Sequence, residues 1–211
     1  TVYMPNYNYG KYISEAIDSV LKQSFIDWEL IIIDDGSTDN SINIINNYRE
    51  NPKVRIIQQK NKGLNVTNNI AIRLSNSQYI VRLDPDDYLD ENFLLVLSNA
   101  LDKNSKYGLV YPDYYLINEN KEIINIHIHS KVNKKNSLKD SPAHGACTMF
   151  RKDILVNIGS YDEVFKCQDG YDIWLKFIQK YHPLNINLPL FYYRQHSTSI
   201  TKNKKNIIET K

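Results

Sequence analysis

Apolar and polar positions follow two different periods along the first half of the chain. Aliphatic and β-branched runs at residues 1–4, 28–33, 54–57 and 79–83 predict four short, buried strands. Between them, apolar residues recur at three- and four-residue spacing, which predicts a helix in each interval. Alternating strands and helices with short loops are typical of an α/β protein with a parallel sheet and helices on both faces. The three helices are expected over about residues 11–23, 42–48 and 63–74.

The second half of the chain has a mixed pattern. Residues 93–101 predict a helix with Asp90 as its N-cap. The region from residue 113 to 140 is rich in Asn and Lys, and Ile124, Ile126 and Ile128 alternate there with polar residues, which predicts an antiparallel edge strand. The other predicted elements are strands at 109–111, 147–150 and 190–193 and helices at 154–158 and 169–180.

Composition narrows the classes of function. The 211 residues are 42% hydrophobic and 24% charged, as in an ordinary globular protein with a substantial core. A net charge of +2 gives no basic excess for nucleic-acid binding. No apolar run approaches the length of about 20 residues that spans a bilayer, and no signal peptide is visible. The only cysteines, Cys147 and Cys167, predict no disulfide framework and favour a reducing, cytoplasmic location.

One acidic cluster stands where the second predicted strand ends. Ile33 is followed by Asp34, Asp35 and a glycine. In open parallel sheets, the loops at the carboxyl ends of the strands form the crevice that binds ligands. Two acids there can accept hydrogen bonds from a base or sugar, or hold a cation. The alternative is that Asp34 and Asp35 shape a turn and that Ser37 or Thr38 caps the next helix, and this stretch alone does not decide between the two.

A second acidic cluster, Asp84-Pro85-Asp86-Asp87, follows the fourth predicted strand. Right-handed crossovers place it on the same sheet edge as the first cluster. Carboxylates this close repel one another unless a cation lies between them. Mg²⁺ typically takes one or two carboxylates and completes its shell with phosphate oxygens and water. Since capping a helix needs only one acid, four acids between Asp84 and Asp90 favour a metal site.

Five motifs follow one another along the chain: Pro5-Asn6-Tyr7-Asn8, the helix after it, Asp34-Asp35-Gly36-Ser37-Thr38-Asp39, Asn61-Lys62-Gly63-Leu64 and Leu83-Asp84-Pro85-Asp86-Asp87. They resemble the ordered motifs of the family 2 glycosyltransferases with the GT-A fold. The resemblance covers nearly the whole chain, and the order and spacing of the motifs make it specific.

The resemblance implies one domain over residues 1–211, with a nucleotide-sugar-binding half (1–112), an acceptor and catalytic half (113–200) and a tail (201–211). The implied fold is Rossmann-like and mostly parallel, with a small antiparallel element in the acceptor half.

For the nucleotide site, the resemblance implies particular residues. Pro5, Tyr7 and Asn8 would lie against the nucleotide, with Tyr7 near the base. Asp35 would accept a hydrogen bond from the base imide, and Asp34 would lie beside it.

For the metal and the diphosphate, Asp84 and Asp86 resemble the DxD pair of the family. Asp86 would be the direct ligand of a divalent metal, Mn²⁺ or Mg²⁺, and Asp84 would lie near the ribose and serve as a second ligand. Arg194 and His196 resemble an Arg-x-His motif. His196 would complete the metal shell and Arg194 would face the diphosphate, although a lone histidine is as often structural. Glu15 either reaches the ribose or only faces solvent.

For the catalytic base, the corresponding segment is Gln168-Asp169-Gly170-Tyr171-Asp172. The common form in the family has adjacent Glu and Asp, whereas here Gly170 follows Asp169. Asp169 is the candidate general base that takes the proton of the acceptor hydroxyl, and Asp172 is the alternative. Asp169 could instead only cap the helix, where a first-turn acid is stabilising.

The resemblance therefore implies an inverting, metal-dependent transferase that uses a nucleotide-diphosphate sugar, expected to be a UDP-sugar. The acceptor would be a glycan or lipid-linked glycan in bacterial surface glycan synthesis, with contact at the inner face of the membrane. The Gln-x-x-Arg-Trp signature of processive synthases is absent, so a single transfer is expected. Two alternatives stay open. One is a non-catalytic nucleotide-sugar-binding module of a larger polymerase, with Gly170 marking a lost acid. The other is a sugar nucleotidyltransferase, whose Gly- and Arg-rich loop is not seen at residues 5–10.

Overall fold

The fold is known from a computed structural model that describes residues 1–129, 145–165 and 169–197. Cys167 and the predicted tail at 201–211 lie outside these ranges. The elements within them are β1 (Val2–Asn6), α1 (Ile13–Leu21), β2 (Leu30–Asp34), α2 (Ser41–Asn46), β3 (Val54–Gln58), α3 (Leu64–Leu74), β4 (Tyr79–Arg82), β5 (Tyr88–Leu89), α4 (Phe93–Asp102), β6 (Tyr107–Ile117), β7 (Ile123–His127), β8 (Met149–Arg151), α5 (Lys152–Asn157), α6 (Asp169–Ile178) and β9 (His182–Arg194).

The first four strands form the parallel part of the sheet, in the order β3-β2-β1-β4. β1 pairs in parallel with both β2 and β4, and β2 pairs in parallel with β3. Asn6 at the end of β1 is in register with Asp34, which is in register with Gln58. The carboxyl ends of these strands therefore meet at one edge, as the alternation of elements predicted.

The other half of the sheet is mixed. From β4 the order continues through β8, β6 and β9 to β5, and only β6 and β9 are parallel to each other. β7 pairs antiparallel with β6, which confirms the predicted edge strand. β6 and β9 are much longer than predicted, because they pair along their length from Tyr107 opposite His182 to Ile117 opposite Arg194. Such long-range pairing leaves little trace in local hydrophobic period.

Alternate residues of the central strands enter two separate cores. Val2 and Met4 pack in one cluster with residues of α1 and α4, whereas Tyr3 packs in the other with residues of α3 and α6. This alternation places helices on both faces of the sheet, as predicted. Within the described ranges, no helix has both the length and the apolar character of a membrane span.

Two further predictions, the end of β1 and the N-cap of α4, were wrong for identifiable reasons. Pro5 does not end β1, since the strand continues to Asn6. The ladder between β1 and β4 ends at Tyr3, so the nitrogen of Pro5 needs no partner on that side. Asp90 is not the N-cap of α4; Asn92 holds that position, and the Asp90 carboxylate accepts a hydrogen bond from its backbone N–H (2.9 Å).

A buried histidine beside the edge strand predicts how stability depends on pH. Burial, reinforced by the neighbouring His127 and opposed by Asp113, lowers the pKa of His129 from 6.5 to about 4. The unfolded chain takes up a proton near its ordinary pKa, whereas the folded chain resists it. Protonation of His129 therefore does not affect the free energy of unfolding above about pH 6.5. As the pH drops toward 4, it lowers that free energy by on the order of 3 kcal/mol.

Urea denaturation at several pH values between 7 and 4.5 measures this loss. We expect His129→Phe to flatten the decline, because the buried ring no longer takes up a proton when the chain unfolds. The exposed His182, replaced by Gln, is the matched control and should leave the decline in place. An equally steep decline in His129→Phe would contradict this assignment.

Candidate functional site

Asp34 joins the loops that follow β1 and β2. One carboxylate oxygen accepts a hydrogen bond from Asn6 Nδ2 (2.8 Å), and the other accepts one from the Ser37 backbone N–H (3.1 Å). Ser37 Oγ also accepts from the Asn8 backbone N–H (2.9 Å). Asp34 is thus a turn-forming residue, the alternative that the sequence left open. Its contact with a nucleotide stays a prediction.

Asp35 is buried and fastens a third loop to the same edge. Its Oδ1 accepts hydrogen bonds from Gln59 Nε2 (2.7 Å) and the Lys62 backbone N–H (2.8 Å). Its Oδ2 accepts one from the Gly63 backbone N–H (2.9 Å). A carboxylate has about four acceptor positions, so one position on Oδ2 is left for a ligand such as a base imide.

The loop after β1 presents one aromatic ring to solvent. Tyr7 is 47% exposed, whereas Pro5 lies buried in the strand. Asn8 has a left-handed backbone (φ 62°), and its Oδ1 accepts from the backbone N–H groups of Thr38 (2.7 Å) and Asp39 (3.2 Å). The predicted nucleotide residues are therefore brought together, with Tyr7 and Asn8 exposed at the surface and Pro5 buried beneath them.

An arginine that sequence reasoning had passed over holds the first acid of the second cluster. Arg82, at the end of β4, is buried, and its Nε lies 2.8 Å from Asp84 Oδ1. Its Nη2 lies 3.4 Å from Asp84 Oδ2. Asp84 lies only two residues beyond Arg82, the last residue of β4, and this short spacing of opposite charges was the available signal.

Asp86 and His196 meet, although 110 residues separate them in sequence. His196 Nε2 lies 2.8 Å from Asp86 Oδ2, and the imidazole is only 2% exposed. The ring packs against Tyr9 and Tyr12, with centroid distances of 6.0 and 5.0 Å. β9 makes this contact possible, because it runs beside β5 and delivers His196 next to the acidic loop.

Asp87 is a buried acid with an incomplete set of hydrogen bonds. It is 1% exposed; its Oδ1 accepts from the Arg194 backbone N–H (2.9 Å), and its Oδ2 has no hydrogen-bond partner among the described residues. Burial, and then the charges of Asp86 and Asp84, raise its pKa well above the usual value. The hydrogen bond and the charge of Arg194 oppose this rise without cancelling it, so the negative charges of Asp84, Asp86 and Asp87 disfavour one another.

These side chains suit a divalent cation that takes only a few of its ligands from the protein. The Asp86 carboxylate oxygens and the His196 imidazole nitrogen are suitable ligands, and the buried acid beside them, only partly stabilised by Arg194, favours positive charge. Within the described ranges, no three His, Cys, Asp or Glu side chains converge as a full set of ligands. A cation there would share its shell with phosphate oxygens and water, as Mg²⁺ commonly does. Metal binding by Asp84, Asp86 and His196 stays a prediction.

Arg194 is enclosed rather than open to the cleft. It is 1% exposed; its Nε donates to the Asp86 backbone carbonyl (2.8 Å), and its Nη2 donates to Glu15 Oε2 (2.5 Å). The rings of Tyr12 and Tyr88 lie 5.1 and 5.7 Å from the guanidinium carbon. These contacts position Asp86, and a direct contact of Arg194 with a diphosphate stays a prediction. Glu15 is partly exposed, and its two carboxylate oxygens pair with Arg194 and with Lys121 (2.6 Å).

The predicted catalytic segment opens helix α6. Asp169 is its first residue, and the prediction for its side chain lies outside what the structure describes. Asp172, the alternative base, is engaged in an i,i+4 ion pair with Lys176 (2.6 Å). Gly170 packs directly against another backbone, which gives a steric reason for the absence of a side chain there.

Comparison with known proteins finds similarity along most of the chain. Residues 1–159 match the family described as Glycosyl transferase family 2. The chain is 31% identical to the O-antigen biosynthesis glycosyltransferase WbnJ of Escherichia coli, over 96% of this chain and 82% of that protein. It is 29% identical to the E. coli UDP-Glc:alpha-D-GlcNAc-diphosphoundecaprenol beta-1,3-glucosyltransferase WfgD, over 97% and 80%. A chondroitin synthase of E. coli is 39% identical over 53% of this chain, which spans only 16% of that protein.

Solved structures share the fold. S. aureus TarS 1-349 in complex with UDP-GlcNAc superposes with a TM-score of 0.80 at 20% identity, over 96% of this chain and 60% of that one. The mannosyltransferase PcManGT from Pyrobaculum calidifontis, in complex with GDP-Man and Mn²⁺, gives 0.73 at 15% identity, over 94% and 57%. This likeness confirms the predicted Rossmann-like GT-A fold.

Proposed function

Because this chain belongs to glycosyl transferase family 2, as its ordered motifs predicted, we propose that it transfers one sugar from a nucleotide-diphosphate donor to an acceptor hydroxyl. A UDP-sugar is the proposed donor, supported by the UDP-Glc in the name of WfgD and the UDP-GlcNAc in the TarS complex. The proposed acceptor is a lipid-linked glycan of the bacterial surface. The names of WfgD, with its diphosphoundecaprenol acceptor, and of the O-antigen enzyme WbnJ support this choice.

One observation carries the proposal: the Asp86–His196 pair lies beside the buried Asp87, whose Oδ2 has no hydrogen-bond partner among the described residues. The same sheet edge carries Asp35, with an acceptor position to spare, and the exposed ring of Tyr7. One edge thus has residues that can bind a base and an acid cluster that can bind a cation. This combination suits a nucleotide diphosphate, in which a ribose links the base to the negatively charged diphosphate.

Asp86 and His196 are the residues that would hold a divalent cation, with Asp84 as a further ligand. When bound, such a cation supplies Lewis-acid stabilisation of the departing diphosphate. The Mn²⁺ in the PcManGT complex supports metal use in this fold. Arg194 keeps Asp86 in place through its hydrogen bond to the Asp86 carbonyl.

The transfer itself falls to few protein groups. Tyr7 stacks on the base, and Asp35 accepts the imide hydrogen bond. Asp169 takes the proton of the acceptor hydroxyl while the hydroxyl oxygen attacks the anomeric carbon on the face opposite the diphosphate, and the bond between that carbon and the diphosphate oxygen breaks. The new bond therefore forms with inversion, and a single sugar is added in each cycle. Residues 1–112 serve the donor and residues 113–200 the acceptor.

The proposed location is the cytoplasm, with peripheral contact at the inner face of the membrane, where a lipid-linked acceptor is anchored. A non-catalytic role is less well supported. It rested on Gly170 as the trace of a lost acid, and the packing at that position accounts for the glycine without such a loss.

Thermal unfolding with a panel of nucleotides, each with and without Mn²⁺, tests the donor site. We expect UDP with Mn²⁺ at about 100 times its dissociation constant to raise Tm by on the order of 5 °C, and UDP alone to raise it much less. GDP, ADP and CDP are the matched controls. If no nucleotide stabilises the chain in the presence of Mn²⁺, the proposed function is wrong.

A further inference from the structure

Two glycine backbones touch where α6 begins. A Cβ atom placed on Gly170 would lie 2.7 Å from the Cα of Gly145 and 3.1 Å from its nitrogen. Distances below 3.0 Å are essentially never seen for a real Cβ atom, and backbone atoms cannot rotate aside. The first turn of α6 can approach this closely only because neither residue has a side chain.

The second glycine also faces the acidic loop. A Cβ atom on Gly145 would lie 3.2 Å from Arg82 Nη2 and 3.2 Å from the Cα of Gly170. Arg82 in turn is the ion-pair partner of Asp84. The Cys147 backbone N–H donates to the Arg82 carbonyl (2.7 Å), which ties the segment after Gly145 to the end of β4. The acidic loop, Arg82 and the start of α6 are thus linked through the contact between the two glycines.

The rest of α6 is fixed independently. Ile173, Trp174 and Phe177 are buried in the second core, and Trp174 also makes an edge-on contact with Tyr111 (5.9 Å). A helix held by these side chains cannot slide freely along the sheet. The glycine contact therefore sets how far its first turn stands from the Arg82–Asp84 pair.

We propose that Gly145 and Gly170 are positioning residues, which set the distance between the proposed base on the first turn of α6 and the acidic loop that receives the donor. The inference rests on the proposed function. Asp169 adjoins Gly170, so the Cα atoms of the two residues are about 3.8 Å apart and move together. A methyl group at position 170 would push the helix start outward, and a displacement of about 1 Å can lower a rate by about 100-fold.

The two positions should respond differently. Gly170→Ala displaces the helix start without placing an atom against Arg82, so kcat should fall by about 100-fold while UDP·Mn²⁺ affinity stays within about threefold. Gly145→Ala also crowds Arg82, so we expect both a lower kcat and weaker UDP·Mn²⁺ binding. Its closest contacts, at 3.2 Å, need only a few tenths of an ångström of relaxation, so this variant remains informative if Gly170→Ala does not fold.

Gly108→Ala separates positioning from a mere loss of packing. A Cβ atom on Gly108 would lie 2.8 Å from Ile154 Cδ1 and 2.9 Å from Phe177 Cε2, so it pushes on the same helix at its far end. This variant should lose stability and keep kcat within about threefold of the wild type, because the first turn of α6 stays in place.

The experiment measures kcat, donor KM and UDP·Mn²⁺ affinity for the wild type and the three variants, below the Tm of each. Loss of kcat in Gly170→Ala and Gly145→Ala, with kcat kept in Gly108→Ala, supports the inference. If the wild type turns over and either site variant keeps its kcat, or if Gly108→Ala loses kcat equally, the inference is overturned. A wild type that binds UDP·Mn²⁺ but transfers nothing overturns the proposed function, and the inference falls with it.

Discussion

Asp86→Asn should lower kcat by about 1,000-fold or more and remove the Mn²⁺-dependent part of UDP binding. The substitution keeps the shape of the side chain but replaces a charged ligand with a neutral one beside His196. It takes away the carboxylate that would hold a cation against the diphosphate, an effect of several kcal/mol in the transition state. The substitution also removes one of the negative charges that raise the pKa of the nearby Asp87.

Calorimetric titration of UDP with and without Mn²⁺, together with the rate of UDP release in a transfer assay, measures both effects. Asp153→Asn, which changes an exposed acid on α5, is the matched control and should leave both unchanged. A kcat within tenfold of the wild type at saturating Mn²⁺ would rule out Asp86 as the principal ligand.

Asp169→Asn should lower kcat by about 1,000-fold and leave UDP·Mn²⁺ affinity unchanged. The amide is isosteric but cannot take the proton of the acceptor hydroxyl, and a positioned general base typically contributes between 100- and 10,000-fold. Because Asp169 is proposed as the base and not as a nucleotide contact, we expect the substitution to separate chemistry from donor binding, which Asp86→Asn does not.

Asp172→Asn is the matched control for the base, since it changes an acid one turn along the same helix. Its ion pair with Lys176 is partly exposed, and the loss should cost at most about 0.5 kcal/mol of stability and leave kcat within a fewfold of the wild type. Should Asp172→Asn lose turnover while Asp169→Asn keeps it, the roles of the two acids would have to be exchanged.

The parallel half of the fold was predictable because its causes are local. Runs such as Ile31-Ile32-Ile33 and the helical spacing between them determine strand, helix and edge without long-range information. The same holds for β7, whose alternating isoleucines gave the antiparallel edge strand. The full lengths of β6 and β9 could not be predicted, because they depend on pairing between segments about 75 residues apart.

The site was predictable as a set of acids but not as a set of partners. The strand ends gave Asp35 and Asp86, and the structure brings them to one edge. What each side chain contacts depends on other parts of the chain. Arg194 forms an ion pair with Glu15, which lies 179 positions away in the sequence, and Arg82 lies next to Gly145. No periodicity encodes such contacts, so the supporting residues emerge only once the strands are in register.

The position of the cation is the most direct test of the proposed site. A crystal grown with UDP and Mn²⁺, with diffraction recorded at the manganese absorption edge, locates the metal independently of the protein density. We predict one strong anomalous peak within about 2.5 Å of an Asp86 carboxylate oxygen, next to His196 and the UDP diphosphate. UDP bound on this edge with no manganese at Asp86, or a peak at a different group of acids, would contradict the proposed site.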